Sequence, residues 1–245
     1  MMEKFLYGLP MGIANTLPGI SGGTIALIMG IYDQLVEAVK KRDWGYLLPV
    51  GAGVATGIFS TSFLTAYLLE NFPNEVLGFL LGLIAISTLI LVKKEKVYTK
   101  QSVIWVVLGF LVSYFMANIE MGIQWKTLQF PLYFLGGFIS TGALILPGIS
   151  GATTLVLLGI YDEVIYSVTV LDLHVLIPFG VGIIIGLSIF AEFISYLLAK
   201  QRLRTMALIV GLVIGSLPAL WPNWTTVGGL MFVLGGVFAY FLREK

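Results

Sequence analysis

The stretch "LPGISGGTIALIMGIYDQLVEAV", Leu17 to Val39, returns in the second half of the chain as "LPGISGATTLVLLGIYDEVIYSV", Leu146 to Val168. Twelve of the 23 positions are identical: LPGISG, one threonine, GIYD and a final valine. The register continues beyond the motif without a gap. Pro49 falls on Pro178, Gly53 and Gly57 on Gly182 and Gly186, Tyr67 on Tyr196 and Gly82 on Gly211. Upstream, Phe5, Leu6 and Gly8 fall on Phe134, Leu135 and Gly137. A self-match of this extent marks a tandem duplication, with repeats expected at 1–121 and 128–245.

Of 245 residues, 58% are hydrophobic and 11% charged. Soluble domains carry about a quarter charged residues, so the composition indicates an integral membrane protein. Apolar stretches recur from end to end, and the expectation is one all-α polytopic membrane domain without a catalytic appendage. Lys4 precedes an apolar run with no small-residue cleavage site, and that segment reads as mature sequence rather than a signal peptide. The chain has no cysteine, which removes disulfides, thiolate metal sites and cysteine nucleophiles. No metal site, cofactor or nucleic-acid partner is expected.

Each half reads as two short apolar pieces flanking the LPGISG break, followed by three longer segments. The long segments are expected at 46–69, 76–92 and 102–118, and at 175–199, 205–220 and 227–242. A hydrocarbon core of about 30 Å accepts segments of this length, some with help from flanking residues or bilayer thinning. The paired short pieces, at 5–39 and 132–168, suggest re-entrant hairpins that enter and leave on one side. A hairpin plus three spans crosses an odd number of times, so the second half is inverted relative to the first. Charge agrees with that arithmetic: "KKRD" follows the first motif, whereas "TVLDLH" follows the second, and "KQRLR" in the second half matches "NFPNE" in the first. With six full spans and two re-entrant hairpins, every Lys and Arg except Lys126 falls on one side, and both termini are cytoplasmic.

Inverted repeats with discontinuous helices are the architecture of secondary transporters, with substrate bound near the midplane where the halves meet. Pro18 and Gly19, and Pro147 and Gly148, form the hairpin turns. Ser21 and Ser150 are placed to cap the helices that follow. Backbone N–H groups at those helix starts favour an anion, and the expected phosphate-binding set is Ser21, Gly22, Gly23 and Thr24 with Ser150, Gly151, Ala152 and Thr153. The pairs Gly53/Gly57 and Gly182/Gly186 read instead as close-packing positions. Asp33 and Asp162 lie 12 residues beyond their serines, about 18 Å along a straight helix, where they cap, anchor or gate. Glu192 sits eight residues before Lys200, at a depth where a bare carboxylate costs about 2.5 to 3.5 kcal/mol, and is the candidate for proton coupling.

The doubled LPGISGG/LPGISGA motif with its GIYD extension, spanning essentially the whole chain, resembles the bacterial membrane family associated with polyprenyl-phosphate transport, the PopT group. The one departure is Ala152 in place of the third glycine, Gly23. The resemblance implies a flippase of the bacterial plasma membrane that returns undecaprenyl phosphate from the outer to the inner leaflet for cell-envelope synthesis. Its partners would be the polyprenyl-phosphate lipid, the bilayer and a driving proton or cation gradient. Two rivals start from the residues. A different anionic lipid or a small anion would suit the same donors. Gly19-Ile20-Ser21-Gly22-Gly23 also fits a serine hydrolase motif, but His174 is the single histidine and falls in a loop far from either serine. A lipid-phosphate phosphatase would need an acid–base pair or arginine cluster that the sequence does not display.

Overall fold

A computed structural model describes residues 1–17, 20–118 and 129–242. All regular elements among them are helical. The first half holds α1 (Met2–Asn15), α2 (Gly22–Ile28), α3 (Tyr32–Lys41), α4 (Trp44–Asn71), α5 (Pro73–Lys94) and α6 (Lys100–Asn118). The second holds α7 (Gln129–Ile145), α8 (Gly151–Leu157), α9 (Tyr161–Val170), α10 (Leu173–Ser216), a 3-10 turn at Leu217–Leu220 and α11 (Thr226–Leu242). Four helical stretches are long and apolar enough to cross a membrane: Trp44–Asn71, Pro73–Lys94, Lys100–Asn118 and Leu173–Leu220. The pair α8 and α9, bent by 111°, adds a fifth if it is taken as one broken span. The protein is therefore an all-helical, multi-pass membrane protein.

Local geometry recurs in the register of the duplicated motif. Helices α8 and α9 begin and end at the positions that this register maps onto the ends of α2 and α3. Phe72 ends α4 at φ −136°, ψ 48°, and Gln201 interrupts α10 at φ −137°, ψ 43°. The break at Gln201 divides α10 where the expected spans 175–199 and 205–220 meet. At the corners before α4 and α10, Arg42 and Leu171 both take φ 55°, and Asp43 and Asp172 accept from the Tyr46 and His174 amides at 3.1 and 3.0 Å.

The second arm of each motif is not the single straight helix expected from Thr24 to Val39. It breaks at Gly30 (φ 72°) and again at Gly159 (φ 68°), in left-handed conformations that a side chain disfavours. The glycine of GIYD makes this corner. Asp33 and Asp162 therefore stand in the first turn of a new helix rather than far along an old one. Pro18 and Gly19, expected in the first turn, lie outside the described residues, as do Lys126, Arg243 and Lys245.

Four helix pairs build the body: α1 on α4, α7 on the first part of α10, α5 on α11, and α6 on the second part of α10. Lipid gives no hydrophobic drive between helices, so close backbone approach and dispersion must hold them. Gly53 illustrates the condition: a methyl there would run into the Phe5 carbonyl and lie 3.0 Å from the Gly8 Cα. Its counterpart Gly182 faces the Phe134 carbonyl in the same way. The packing role expected for these glycines is what the helices use. Ile84, Ile209 and Val210 fill the centre with almost no exposure.

One end of the body is basic. Lys4 Nζ donates to the Gly45 carbonyl at 3.1 Å, Lys40 Nζ to Ser195 Oγ at 3.1 Å, and the Arg204 guanidinium lies 6.0 Å from the Trp105 ring centroid. These contacts gather the start of α1, the end of α3, the start of α6 and the break in α10. At the opposite end the Asn223 amide donates to Asn74 Oδ1 at 2.9 Å. The segments meeting there, 71–75 and 221–225, contain no Lys or Arg.

A methyl added at Gly53 should cost about 1 to 3 kcal/mol through overpacking. Gly51→Ala meets nothing within 4 Å and should be neutral. Thermal unfolding in detergent is expected to fall for Gly53→Ala and stay at the wild-type midpoint for Gly51→Ala.

Candidate functional site

The two motif turns meet inside the body. The Gly148 amide donates to Thr24 Oγ1 at 3.2 Å, and the Tyr32 hydroxyl donates to the Ile145 carbonyl at 3.1 Å. A methyl on Gly23 would sit 3.0 Å from the Leu144 carbonyl oxygen, so the two turns touch backbone to backbone. Gly148 holds φ 85° against the Leu212 and Val213 backbone, a place without room for a Cβ. Its carbonyl accepts from Ser113 Oγ at 2.8 Å.

The first turn is closed on itself. Ser21 caps α2 and accepts from the Thr24 amide at 3.3 Å, and its hydroxyl shares a hydrogen bond with Thr24 Oγ1 at 3.1 Å. The first free amide of α2, that of Gly22, donates to Asn15 Oδ1 at 2.9 Å. Ser21, Gly22, Gly23 and Thr24 are all buried. The second turn is looser. Ser150 precedes α8 in extended conformation but makes no side-chain cap bond, and Leu144 occupies the position equivalent to Asn15. Ser150, Gly151 and Thr153 are half-buried and Ala152 is exposed.

A cavity lies against each turn. One of about 140 Å3 runs from Thr24 along α5, past Ile84, Ser87 and Thr88, to Lys94 at the basic end. The other, of about 50 Å3, runs from Ser150 and Thr153 past Ser113 and Ser216 to Ala219, toward the opposite end. Thr24 and Thr153 occupy equivalent positions, as do Ser87 and Ser216. A third cavity of about 200 Å3 flanks the start of α2 and is largely apolar, walled by Met11, Val36, Val54 and Leu187 beside Gly22 and Gly23.

Carboxylates and cations cluster at the basic end. Arg202, the first residue after the break in α10, donates to both Glu95 carboxylate oxygens at 2.9 and 2.8 Å and to Asp33 Oδ2 at 2.8 Å. Glu95 is the better shielded partner, its side chain 11% exposed against 45% for Asp33. The clamp ties the start of α3 to the end of α5 and the break in α10. Asp162 has no such tie among the described residues: it is exposed, and Pro73 stands where symmetry would put the arginine. Glu192 lines a separate groove with Lys40, Lys41, Arg42 and Ser188. Lys41 and Lys40 pair with Glu37 at 3.1 and 4.0 Å, and Ser195 Oγ donates to Glu37 Oε2 at 2.9 Å.

The structure thus brings Thr24, Gly23 and Gly148 together at the meeting of the turns, with Ser21 and Ser150 one step to either side. It leaves Glu192, Asp33 and Asp162 at the periphery. His174 is exposed in the first turn of α10, and no hydrogen bond joins it to Ser21 or Ser150 among the described residues. Asn15, Ser113 and Arg202 are participants outside the motif, and Tyr32, the tyrosine of GIYD, is a motif residue to which the sequence alone assigns no role. Each is a polar residue set in an apolar stretch or at a helix break, a signal open to a reader who weighs such residues singly.

The family model described as VCA0040-like, undecaprenyl phosphate translocase-like, matches residues 11–44 and 37–232. A polyprenyl-phosphate transporter of Vibrio cholerae serotype O1 is 32% identical over 245 residues, covering 90% of this chain and 78% of its own. A polyprenyl-phosphate transporter of Staphylococcus aureus is 30% identical over 258 residues, covering 96% and 91%. No solved structure matches the chain significantly. Matches that span nearly all the helices, both motif turns included, place this chain in the undecaprenyl phosphate translocase-like family.

Proposed function

We propose that this protein moves a polyprenyl phosphate, undecaprenyl phosphate in a bacterial plasma membrane, from the outer to the inner leaflet. In this reading the chain has six spans and two re-entrant hairpins in inverted repeats, with the basic end in the cytoplasm. The observation that carries it is the pair of cavities, one on each motif turn, running to opposite ends of the body, with Thr24 on the wall of one hydrogen-bonded to Gly148 on the wall of the other. Breaking that contact on alternate sides would expose one turn at a time, which is what alternating access about a midplane site requires.

The phosphate is held by hydroxyls and helix-start amides, and the isoprenoid tail stays in lipid or beside the apolar cavity at Gly22 and Gly23. The looser second turn, with Ser150 free of a cap bond, receives the phosphate first. Passage to the first turn frees the Gly22 amide from Asn15. The substrate donors at the two turns themselves are uncharged, so neither turn holds the headgroup by an ion pair. Asp33 gates the basic end through Arg202, and Glu192, with the cations of its groove, serves proton coupling.

Liposomes containing the protein and undecaprenyl phosphate provide the test, with an enzyme confined to the outside reporting which leaflet holds the lipid. Exchange should exceed that of protein-free liposomes, and equal exchange with folded protein would end the proposal. Ser21→Ala combined with Ser150→Ala should lower initial flux about tenfold, the effect of losing a hydrogen bond to a charged group. Wild-type flux in that variant would leave the backbone amides and the Thr24 and Thr153 hydroxyls as the donors.

A second outcome concerns the clamp. Arg202→Gln should raise labelling of a thiol placed at Met29, on the wall of the basic-end cavity, about fivefold, since an ion pair of about 1 kcal/mol shifts a two-state population by that factor. Arg202→Lys should restore closure in part. Unchanged labelling would reduce Arg202 to an anchor.

A further inference from the structure

The cavity between Thr24 and Lys94 has a feature that the motif does not explain. Ser87 is 8% exposed, lies on the cavity wall, and its hydroxyl has no hydrogen-bond partner among the described residues. Buried hydroxyls are nearly always bonded, so an orphan on a cavity wall calls for an occupant. Its neighbours are already engaged. Thr88 Oγ1 donates to the Ile84 carbonyl at 2.7 Å, and Thr24 Oγ1 accepts from Gly148 and shares a bond with Ser21. Ser87 is therefore the donor left over.

Charge indicates what that donor awaits. Lys94 stands exposed at the mouth, joined to no carboxylate among the described residues, and no Asp or Glu lines the cavity. Hydroxyls and one ammonium without a carboxylate suit an anion and repel a cation. At roughly 30 Å3 per water, a space of about 140 Å3 admits a phosphate group. The equivalent serine of the second half, Ser216, lines the opposite cavity beside Ser150 and Thr153, though its hydroxyl donates to the Val213 carbonyl at 2.9 Å. Where Lys94 stands, the second half has Asn223.

We infer that Ser87 and Lys94 form a phosphate-monoester subsite between the motif turns and the basic end, where the headgroup rests after leaving Thr24. The inference rests on the transport reading for its lipid and on the cavity alone for its chemistry. Ser216 is its partial counterpart, lacking the cation. The asymmetry makes the basic-end subsite the tighter of the two.

The absence of cysteine supplies the experiment, because Ser87→Cys is then the sole thiol in this 245-residue chain. Farnesyl phosphate should slow its reaction with a small water-soluble thiol reagent at least fivefold, and farnesol should not. Inorganic phosphate protecting equally identifies the phosphate group as sufficient, and protection by farnesyl phosphate alone identifies the lipid as the ligand. Either result supports the subsite. Equal protection by farnesol, or no protection, overturns it. Should the thiol prove unreactive or the variant unfolded, Ser87→Ala and Lys94→Gln decide: each should lower flux about tenfold at subsaturating lipid, the loss expected when a bond to a charged group is removed, and wild-type flux in both overturns the subsite. Inactive wild-type liposomes would instead count against the transport reading, while thiol protection still judges the phosphate site.

Discussion

A break in a helix is expensive inside a bilayer, because hydrocarbon offers no water to the freed amides and carbonyls. Here two breaks lie together and answer part of each other's demand. The Gly148 amide of the second turn finds Thr24 of the first, the Ile145 carbonyl finds Tyr32, and the Gly148 carbonyl finds Ser113 on a third element. Everything else in the body serves to bring these turns within reach. The glycine seams of α1 on α4 and α7 on α10 set the arms close enough, and α5 and α6 wall the spaces that remain.

Much of this was written in the sequence. The offset between the two motif copies locates α8 and α9 from α2 and α3, and apolar length places the long helices to within a few residues. The corner at Gly30 is made by a left-handed glycine, and its trace in the sequence is the change there from the apolar GGTIALI of α2 to the half-polar YDQLVEAVKK of α3. The site was half legible. Pro-Gly and Ser-Gly point to the turns, but their bonding partners come from other helices: Asn15 from the arm before, Tyr32 from the helix after the corner, and Ser113 from α6. Such pairings depend on tertiary placement, and no local pattern encodes them. Glu192 drew notice through its depth in an apolar run, whereas the structure sets it in a groove already supplied with cations.

The halves share geometry and differ in chemistry. Asn15 against Leu144 makes the first turn the more polar of the two, Gly23 against Ala152 leaves its backbone the less covered by side chain, and Lys94 against Asn223 puts a cation on the cavity of the first half where the second half has an amide. A symmetric pair of turns would hold a ligand equally well from either side. These substitutions remove that equality while the glycine corners stay alike, Gly30 at φ 72° and Gly159 at φ 68°; the caps before them do shift, from φ −115°, ψ 156° at Ser21 to φ −99°, ψ 130° at Ser150.

The clamp of Arg202 on Asp33 and Glu95 has no counterpart, because Pro73 fills the matching position. A bond present in one conformation only weights the equilibrium between conformations. In the proposed transport cycle it would decide where an idle molecule waits and how long it takes to leave that state. It supplies no work, and a cycle run backwards would pass through the same clamp. Net flow in that cycle would therefore draw on something that differs across the membrane, such as the consumption of the lipid on one side or an ion gradient, while the clamp would be a set-point for the unloaded protein.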